Sequence, residues 1–278
     1  MNKEMKTAIV LSASSDIGYS LCQRWVERGW KVLGTYRTAS EKVDELLRLN
    51  VSLVKCDGRD NDSMNESCSQ LKSLCGAWDV LVACIGDMEP VGLFEEVNFD
   101  AWETSFKINF TSQLRFVRKL LPVRCFNSEL EPCVLFFAGS GTNNAPKNYS
   151  AYTISKISLI KMCEILDAEI PSVRFSIIGP GWVKSKIHRA TINAGKELAG
   201  DNFQKTLGML KGEQWVSMEK VLDCCDWIIK MPKDIIGGRN FSVVSDAWGQ
   251  PALEDQLLQD ENMYKLRRRG NDWGCGKK

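Results

Sequence analysis

The sequence predicts an α/β protein, a doubly wound parallel sheet of about seven strands with helices on both faces. Three observations predict it. Short apolar runs of strand length alternate with longer stretches whose apolar residues recur at helical spacing. One run, "DVLVACIG" at 79–86, is apolar almost throughout, as befits a parallel strand covered on both faces. The first run, "TAIVLS" at 7–12, passes through small residues straight into a helix, the setting in which open α/β sheets hold an anion.

The elements follow in order. A helical stretch after 7–12 reaches Arg28, where Gly29 stops it. "KVLGTY" at 31–36 is the second strand and "SEKVDELLRLN" the helix behind it. "VSLVKC" at 51–56 precedes a helix whose Met64, Cys68, Leu71 and Cys75 share one face. After 79–86 a long helix is expected from about Asp100 to Val123. "CVLFFAG" at 133–139 is the fifth strand, and a second long helix runs to about Glu169. "VRFSIIGP" at 173–180 is the sixth strand and "GGRNFSVV" the seventh. No linker or repeat divides the chain, so residues 1–250 read as one domain and 251–278 as a C-terminal tail. The least regular segment is 185–216, which follows the sixth strand, where a lid or substrate loop is expected.

Composition excludes several classes. A net charge of +1 creates no field that recruits nucleic acid or an anionic membrane. No stretch is long and apolar enough to span a bilayer. The first strand starts too early for an export signal, and the 11 cysteines are scattered, which suits reduced thiols in a cytoplasmic chain. Cys22, Cys56, Cys84 and Cys163 read as small core residues. One histidine, His188, and no CxxC pair argue against a metal site. The basic "KLRRRGNDWGCGKK" reads as a solvated tail.

The chemistry concentrates in "YSAYTISKISLIKM", where Tyr152 and Lys156 lie four apart and share a helix face. Asn109 stands on the preceding long helix, Ser140 at the end of the fifth strand, and "GPGWVKSKI" after the sixth. All belong to the edge where strand carboxyl ends bind ligands. In this ordered set the sequence resembles the short-chain dehydrogenase/reductase family, in its compact single-domain branch, over about residues 5–245. The loop "SASSDIG", Asp57, "ACIG", Asn109, a hydroxyl before Tyr152, Lys156 and "PGWVKS" stand in that family's order.

The resemblance implies a Rossmann fold and an oxidoreductase that moves hydride between a nicotinamide cofactor and a carbonyl or secondary alcohol. It implies that Tyr152 is the general acid and base. Lys156 would favour the phenolate by its charge and bond the nicotinamide ribose. Asn109 would hold a water linking Lys156 to solvent, and Ser140 would donate to the substrate carbonyl. Gly139 occupies the position where the family usually has that serine, so Ser140 and Thr142 are the two candidates.

The family's three loop glycines fall on Ser12, Asp16 and Gly18. Ser12 must accept strain if its φ turns positive, and Gly18 serves close packing. Asp16 should turn from the pyrophosphate and cap the helix. Ser14 and Ser15 add hydroxyl donors to the phosphates, with Ile17 completing the loop. Arg37, where an acid would hold a free 2′-hydroxyl, selects NADP, with NAD the alternative. Asp57 would bond the adenine amino group, and Gly86 lies along the cofactor. Pro180, Gly181 and Val183 would carry the chain beneath the nicotinamide, with Ser185 at its carboxamide. Trp182 either walls the substrate pocket or packs on the sheet. Lys184, Lys186, His188, Arg189, Lys196, Lys205 and Lys211 suit an anionic substrate such as a keto-sugar or sugar phosphate. The rival readings are a catalytically weak nucleotide-binding regulator and a sugar-nucleotide epimerase or dehydratase. Apolar residues on several faces of the two long helices, among them Phe106, Phe110, Phe116, Ile154, Ile157 and Ile160, suit a homodimer or homotetramer.

Overall fold

Seven parallel strands form one sheet, β1 (Thr7–Leu11), β2 (Lys31–Tyr36), β3 (Ser52–Lys55), β4 (Val80–Ala83), β5 (Cys133–Phe137), β6 (Arg174–Gly179) and β7 (Asn240–Ser242). The computed structural model describes residues 5–126, 130–139, 141–212 and 215–269. Along the sheet the order is β3-β2-β1-β4-β5-β6-β7. The chain therefore winds outward from β1 to β3, returns past its start, and continues from β4 in the other direction. The connections that leave β1 and β4 run over opposite faces, and the carboxyl ends of these two strands part into a crevice.

The pleat explains the two cores. Ala8 and Val10 of β1 face one side; Ile9 and Leu11 face the other. On the first side lie α1 (Asp16–Glu27), α2 (Glu41–Arg48) and, from later in the chain, α9 (Met218–Lys230). On the second lie α3 (Asn61–Cys75), the α4–α5 helix and α6 (Ser150–Glu169). Arg24 of α1, buried, pairs with Asp223 at 2.7 Å and Asp226 at 2.8 Å, which locks α1 to α9.

The expected helix from Asp100 to Val123 is present but not uniform. It consists of α4 (Phe99–Phe106), a π-helical turn at Lys107–Thr111, α5 (Ser112–Leu120) and a 3-10 turn at Leu121–Val123. A π turn inside an α-helix adds one residue and frees backbone groups, and this one is centred on Asn109.

Two expectations are corrected. Segment 185–216 is largely helical: a 3-10 turn at Lys186–His188 leads into α7 (Arg189–Ala199) and α8 (Asp201–Lys211). Gly195 and Gly200, with φ of +73° and +55°, bend it, and these breaks hide the helical period from a sequence reading. Likewise the C-terminal tail read at 251–278 packs on the sheet domain over its described part, 251–269. After the short α10 (Lys233–Ile236), α11 (Pro251–Gln259) buries Leu253 and Leu257 in the first core. Beyond it Tyr264 meets Phe241 edge to face, and Arg267 pairs with Glu164 at 2.6 Å. Among the described residues no helix is long and apolar enough to cross a membrane.

Candidate active site

The crevice between β1 and β4 is lined first by the loop Ser12–Ser15. Ser12 N–H donates to Thr35 Oγ1 at 2.9 Å and Ala13 N–H to Thr35 O at 2.7 Å, so β2 holds the loop from the side. Ser12 has φ +61°, so of the two courses open to it the loop takes the strained one. That conformation costs roughly 1 kcal/mol, and the Ser15 N–H to Ser12 O bond at 2.9 Å closes the turn over it. A Cβ on Gly18 would stand 2.5 Å from Ser12 O, so no side chain fits there.

The helix cap differs from expectation. Ser15, not Asp16, is the N-cap: its Oγ accepts from Gly18 N–H at 3.2 Å. Asp16 stands one residue inside the helix, where its carboxylate reaches sideways instead. It accepts from Lys42 Nζ at 2.5 Å and from Lys186 N–H at 2.8 Å. Burial opposes its charge, but Lys42 and the Lys186 amide outweigh burial and hold its carboxyl below the ordinary range.

Two cavities open from this loop. One, of about 480 Å³, runs past Ser12, Ser14, Tyr36, Arg37 and Asp57. The other, of about 460 Å³, runs past Tyr152, Lys156, Pro180, Gly181, Val183 and Ser185. Ser15, Cys84, Ile85 and Gly86 line both, so they are two ends of one groove across the sheet's switch point. Asp16 and Ile17 border the second. Cys84 is thus a wall of the groove rather than the pure core residue expected, whereas Cys22, Cys56 and Cys163 are buried.

At the first end, exposed Arg37 stands on the rim after β2 and forms no ion pair among the described residues. Asp57 is already engaged: Arg59 grips its carboxylate at 2.6 and 3.0 Å, which depresses its pKa to about 2. Any adenine contact by Asp57 has to share that carboxylate.

At the second end, Tyr152 and Lys156 come together on α6 as their spacing requires. Both are buried, and Lys156 Nζ lies 5.8 Å from the Tyr152 ring centre. The ammonium is turned onto carbonyls, donating to Phe137 O at 3.0 Å and Ile85 O at 3.4 Å. Burial pulls the Lys156 pKa down to about 8 and pushes the Tyr152 phenol up to about 12. The expected lowering of the phenol by its cationic neighbour is therefore not what this arrangement produces; desolvation dominates. Such a phenol holds its proton through neutral pH.

Gly139 explains how the tyrosine is seated. A Cβ at 139 would lie 2.6–2.9 Å from Tyr152 ring and hydroxyl atoms, so the ring occupies the space of a side chain there. Ser140 lies outside the described residues; Thr142 lines the cavity, with Asn143 and Asn144 beyond it. Asn109 is fully buried and its side chain is committed to the protein: it accepts from Asp87 N–H at 3.0 Å and donates to Asp87 O at 2.7 Å. Its carbonyl accepts from Gln113 Nε2 at 2.7 Å. A water role for Asn109 is thereby left to the second lone pair of that carbonyl.

Trp182 packs face to face with His188 at 4.9 Å, with Trp215 against both and Lys205 5.8 Å from its ring centre. His188 meets the Val183 carbonyl at 3.0 Å, and burial, which outweighs that contact, lowers its pKa. Of the basic residues in and beside 185–216, only Lys186, His188 and Arg189 border the groove, and Arg189 does so at the Arg37 end. Sequence reasoning missed Lys42, Gln113 and the seat at Gly139. The one visible signal was Gln113, a polar residue on the inward stripe of its helix, one turn after Asn109.

A family model described as short chain dehydrogenase matches residues 6–195. The chain is similar to a 3-oxoacyl-(acyl-carrier-protein) reductase of Salmonella typhimurium, 25% identical over 225 residues that cover 78% of this chain and 88% of the relative. Among solved structures it is similar to a short chain dehydrogenase/reductase from Saccharomyces cerevisiae, with a TM-score of 0.77, 22% identity and coverage of 90% and 98% of the two chains. Its fold also matches the actinorhodin polyketide ketoreductase solved with NADPH, with a TM-score of 0.74 at 17% identity, covering 89% of this chain and 98% of that one.

Proposed function

Because the chain belongs to the short-chain dehydrogenase family, we propose that it is an NADP(H)-dependent oxidoreductase that interconverts a carbonyl and a secondary alcohol, with Tyr152 as its proton donor and acceptor. The observation that carries this reading is the single groove, with a helix N-terminus and Arg37 at one end and the buried Tyr152–Lys156 pair at the other.

The residues present fit a dinucleotide. The bare Gly18, the Ser12–Ser15 loop and the Asp16 and Ile17 N–H groups, which meet no acceptor among the described residues, form a cradle for a pyrophosphate. Asp16 is the discordant member, and Lys42 offsets its charge. Arg37 supplies the fork that suits a 2′-phosphate. Lys156 would reach the nicotinamide ribose, and Ser185 the carboxamide. Support also comes from a relative in fold whose description names NADPH.

A nicotinamide held there would supply or take the hydride. The chain supplies the rest. Tyr152 gives its phenolic proton to the substrate oxygen as negative charge develops there. Lys156, charged below about pH 8, stabilises the phenolate left behind. Met88, Ile187 and Trp182 wall the cavity and keep water from the reacting centre. Of the basic residues that border the groove, Arg189 stands at the Arg37 end, Lys186 is tied to Asp16 and Ser14 O, and His188 is stacked on Trp182, while Thr142, Asn143 and Asn144 border the Tyr152 end. That distribution supports a neutral carbonyl compound over a sugar phosphate.

The test is titration of the purified chain with NADPH and NADH, followed by NADPH consumption over a panel of ketones, keto-esters and keto-sugars. We expect NADPH to bind more tightly and at least one ketone to turn over. Tyr152→Phe should lose about 10²–10⁴ of that turnover with cofactor affinity unchanged. Tighter NADH binding sinks the cofactor assignment. Cofactor binding without turnover on any carbonyl favours the nucleotide-binding regulator.

A further inference from the structure

Gln113 sits behind the reacting pair and belongs to none of the roles assigned above. It is fully buried on α5, two residues after the π turn. That turn leaves the Asn109 carbonyl directed inward, and Gln113 Nε2 donates to it at 2.7 Å. The same Nε2 donates at 3.2 Å to Ile85 O, on the loop that leaves β4. Ile85 O is also one of the two carbonyls under Lys156, 3.4 Å from Nζ. One strand-end carbonyl thus joins the glutamine amide to the lysine ammonium. Two residues further along that loop, the Asn109 amide grips Asp87 through both its N–H and its C=O.

The orientation of the Gln113 amide follows from its surroundings. Turned over, its oxygen would face two carbonyl oxygens. In the orientation present, Oε1 is buried and meets no donor among the described residues. A buried amide with an acceptor left unmade is worse for stability than an apolar side chain of equal size, so packing does not account for a glutamine here. What glutamine adds over methionine is its pair of N–H donors, and both carbonyls they serve bear on the catalytic end of the groove.

We propose that Gln113 is a positioning residue for Lys156: by pinning the Ile85 carbonyl from behind, it holds the ammonium beneath the Tyr152 ring. This rests on the reading of Tyr152 and Lys156 as the proton-handling pair, but its test does not depend on turnover. The titratable groups around Lys156 are Tyr152 on the same helix and Cys84 at the end of β4.

The experiment uses the full chain and Gln113→Met, which preserves length and volume and removes both donors. Acetic anhydride labelling of Lys156 across pH, read by mass spectrometry, gives the titration of that amine. In parallel one follows thermal melting and the kcat and KM of NADPH-dependent ketone reduction. Without the pinned carbonyl a still-buried ammonium loses a partner, so its pKa should fall by about half a unit or more, a roughly three-fold change in the amine-to-ammonium ratio. The kcat should drop several-fold with little change in KM. An unchanged Lys156 titration overturns the proposal, whatever happens to the melting temperature. If Gln113→Met does not fold, Gln113→Asn, one methylene too short to span both carbonyls, carries the same decision. A wild-type chain that neither binds dinucleotide nor reduces ketones would fail the functional reading, while the Lys156 titration would still decide the role of Gln113.

Discussion

Gly139 and Tyr152 are a matched pair, the ring lying where any side chain at 139 would be. Gly139→Ala should therefore displace the catalytic ring and cost about 1–3 kcal/mol of stability, with turnover reduced more than cofactor affinity. Denaturant unfolding together with kcat checks this, and a variant as stable and active as the parent would refute it. The same residues set the pH behaviour. In the proposed mechanism, reduction needs Tyr152 protonated and Lys156 charged. The phenol, pushed up to about 12, keeps its proton throughout the working range, while Lys156, pulled down to about 8, does not. Ketone reduction should be level below about pH 8 and fall as pH rises through it; alcohol oxidation, which needs the phenolate, should gain with pH. Initial rates between pH 6 and 10 decide, and a reduction rate climbing above pH 8 would contradict the assignment. The Tyr152–Lys156 pair was legible because helical periodicity is a local property. The burial that shifts both groups was not, because it comes from β4, β5 and the lid, which are distant in sequence.

At the scale of elements, the proposed phosphate loop, Ser12–Ser15, and the proposed lid, 185–216, are coupled through one carboxylate. Asp16, at the start of α1, binds Lys42 of α2 and the Lys186 amide at the foot of the lid, where Lys186 Nζ also meets Ser14 O at 3.3 Å. The lid is tied a second time where Tyr149 Oη and Thr191 Oγ1 meet at 2.8 Å. Asp16→Asn keeps an acceptor for Lys186 and removes negative charge from the helix N-terminus. It should tighten NADPH binding by about 0.5–1 kcal/mol, a gain of a few-fold, read by calorimetry. Asp16→Ala, which also frees Lys186, should in addition speed proteolysis within α7 and α8. Weaker cofactor binding in Asp16→Asn would show that the carboxylate supports the site rather than opposing it. A positive φ at Ser12 was one of the two outcomes that the lost glycine left open, whereas the exchange of roles between Ser15 and Asp16 was not foreseen. Both residue types cap helices, and only the position of Lys42 and Lys186 draws the aspartate away. The lid helices were missed for a related reason: glycines at 195 and 200 break the period that reveals a helix.

For the whole molecule, the exposed aromatic residues matter most. Phe94, Phe99, Trp102, Phe106 and Phe110 form a continuous ladder with centroid separations of 5.3–6.3 Å between Phe94–Phe99, Phe99–Trp102, Trp102–Phe106 and Phe106–Phe110. Phe94 is 62% exposed and Phe99 53%. Of the apolar residues on several faces of the two long helices, Phe116 and Ile160 lie in the second core, so the aromatic strip occupies the amino-terminal half of the first of them. A contiguous aromatic strip in water is a surface that a second copy would cover. Phe106→Glu should shift the chain toward monomer in sedimentation velocity while leaving its fold intact by circular dichroism. An unchanged sedimentation coefficient would remove this strip from the association surface.

By itself the sequence determined the class of fold, the strand order's raw material and the helix face that carries Tyr152 and Lys156. Each depends on periodicity within a few residues, which the chain states openly. The tertiary structure decided which carbonyls hold Lys156, which residue caps α1, where the tyrosine ring rests and how the lid is fastened. Those are contacts between segments far apart in the chain, formed by strand ends that meet only once the sheet has reversed its winding, and no local pattern encodes them.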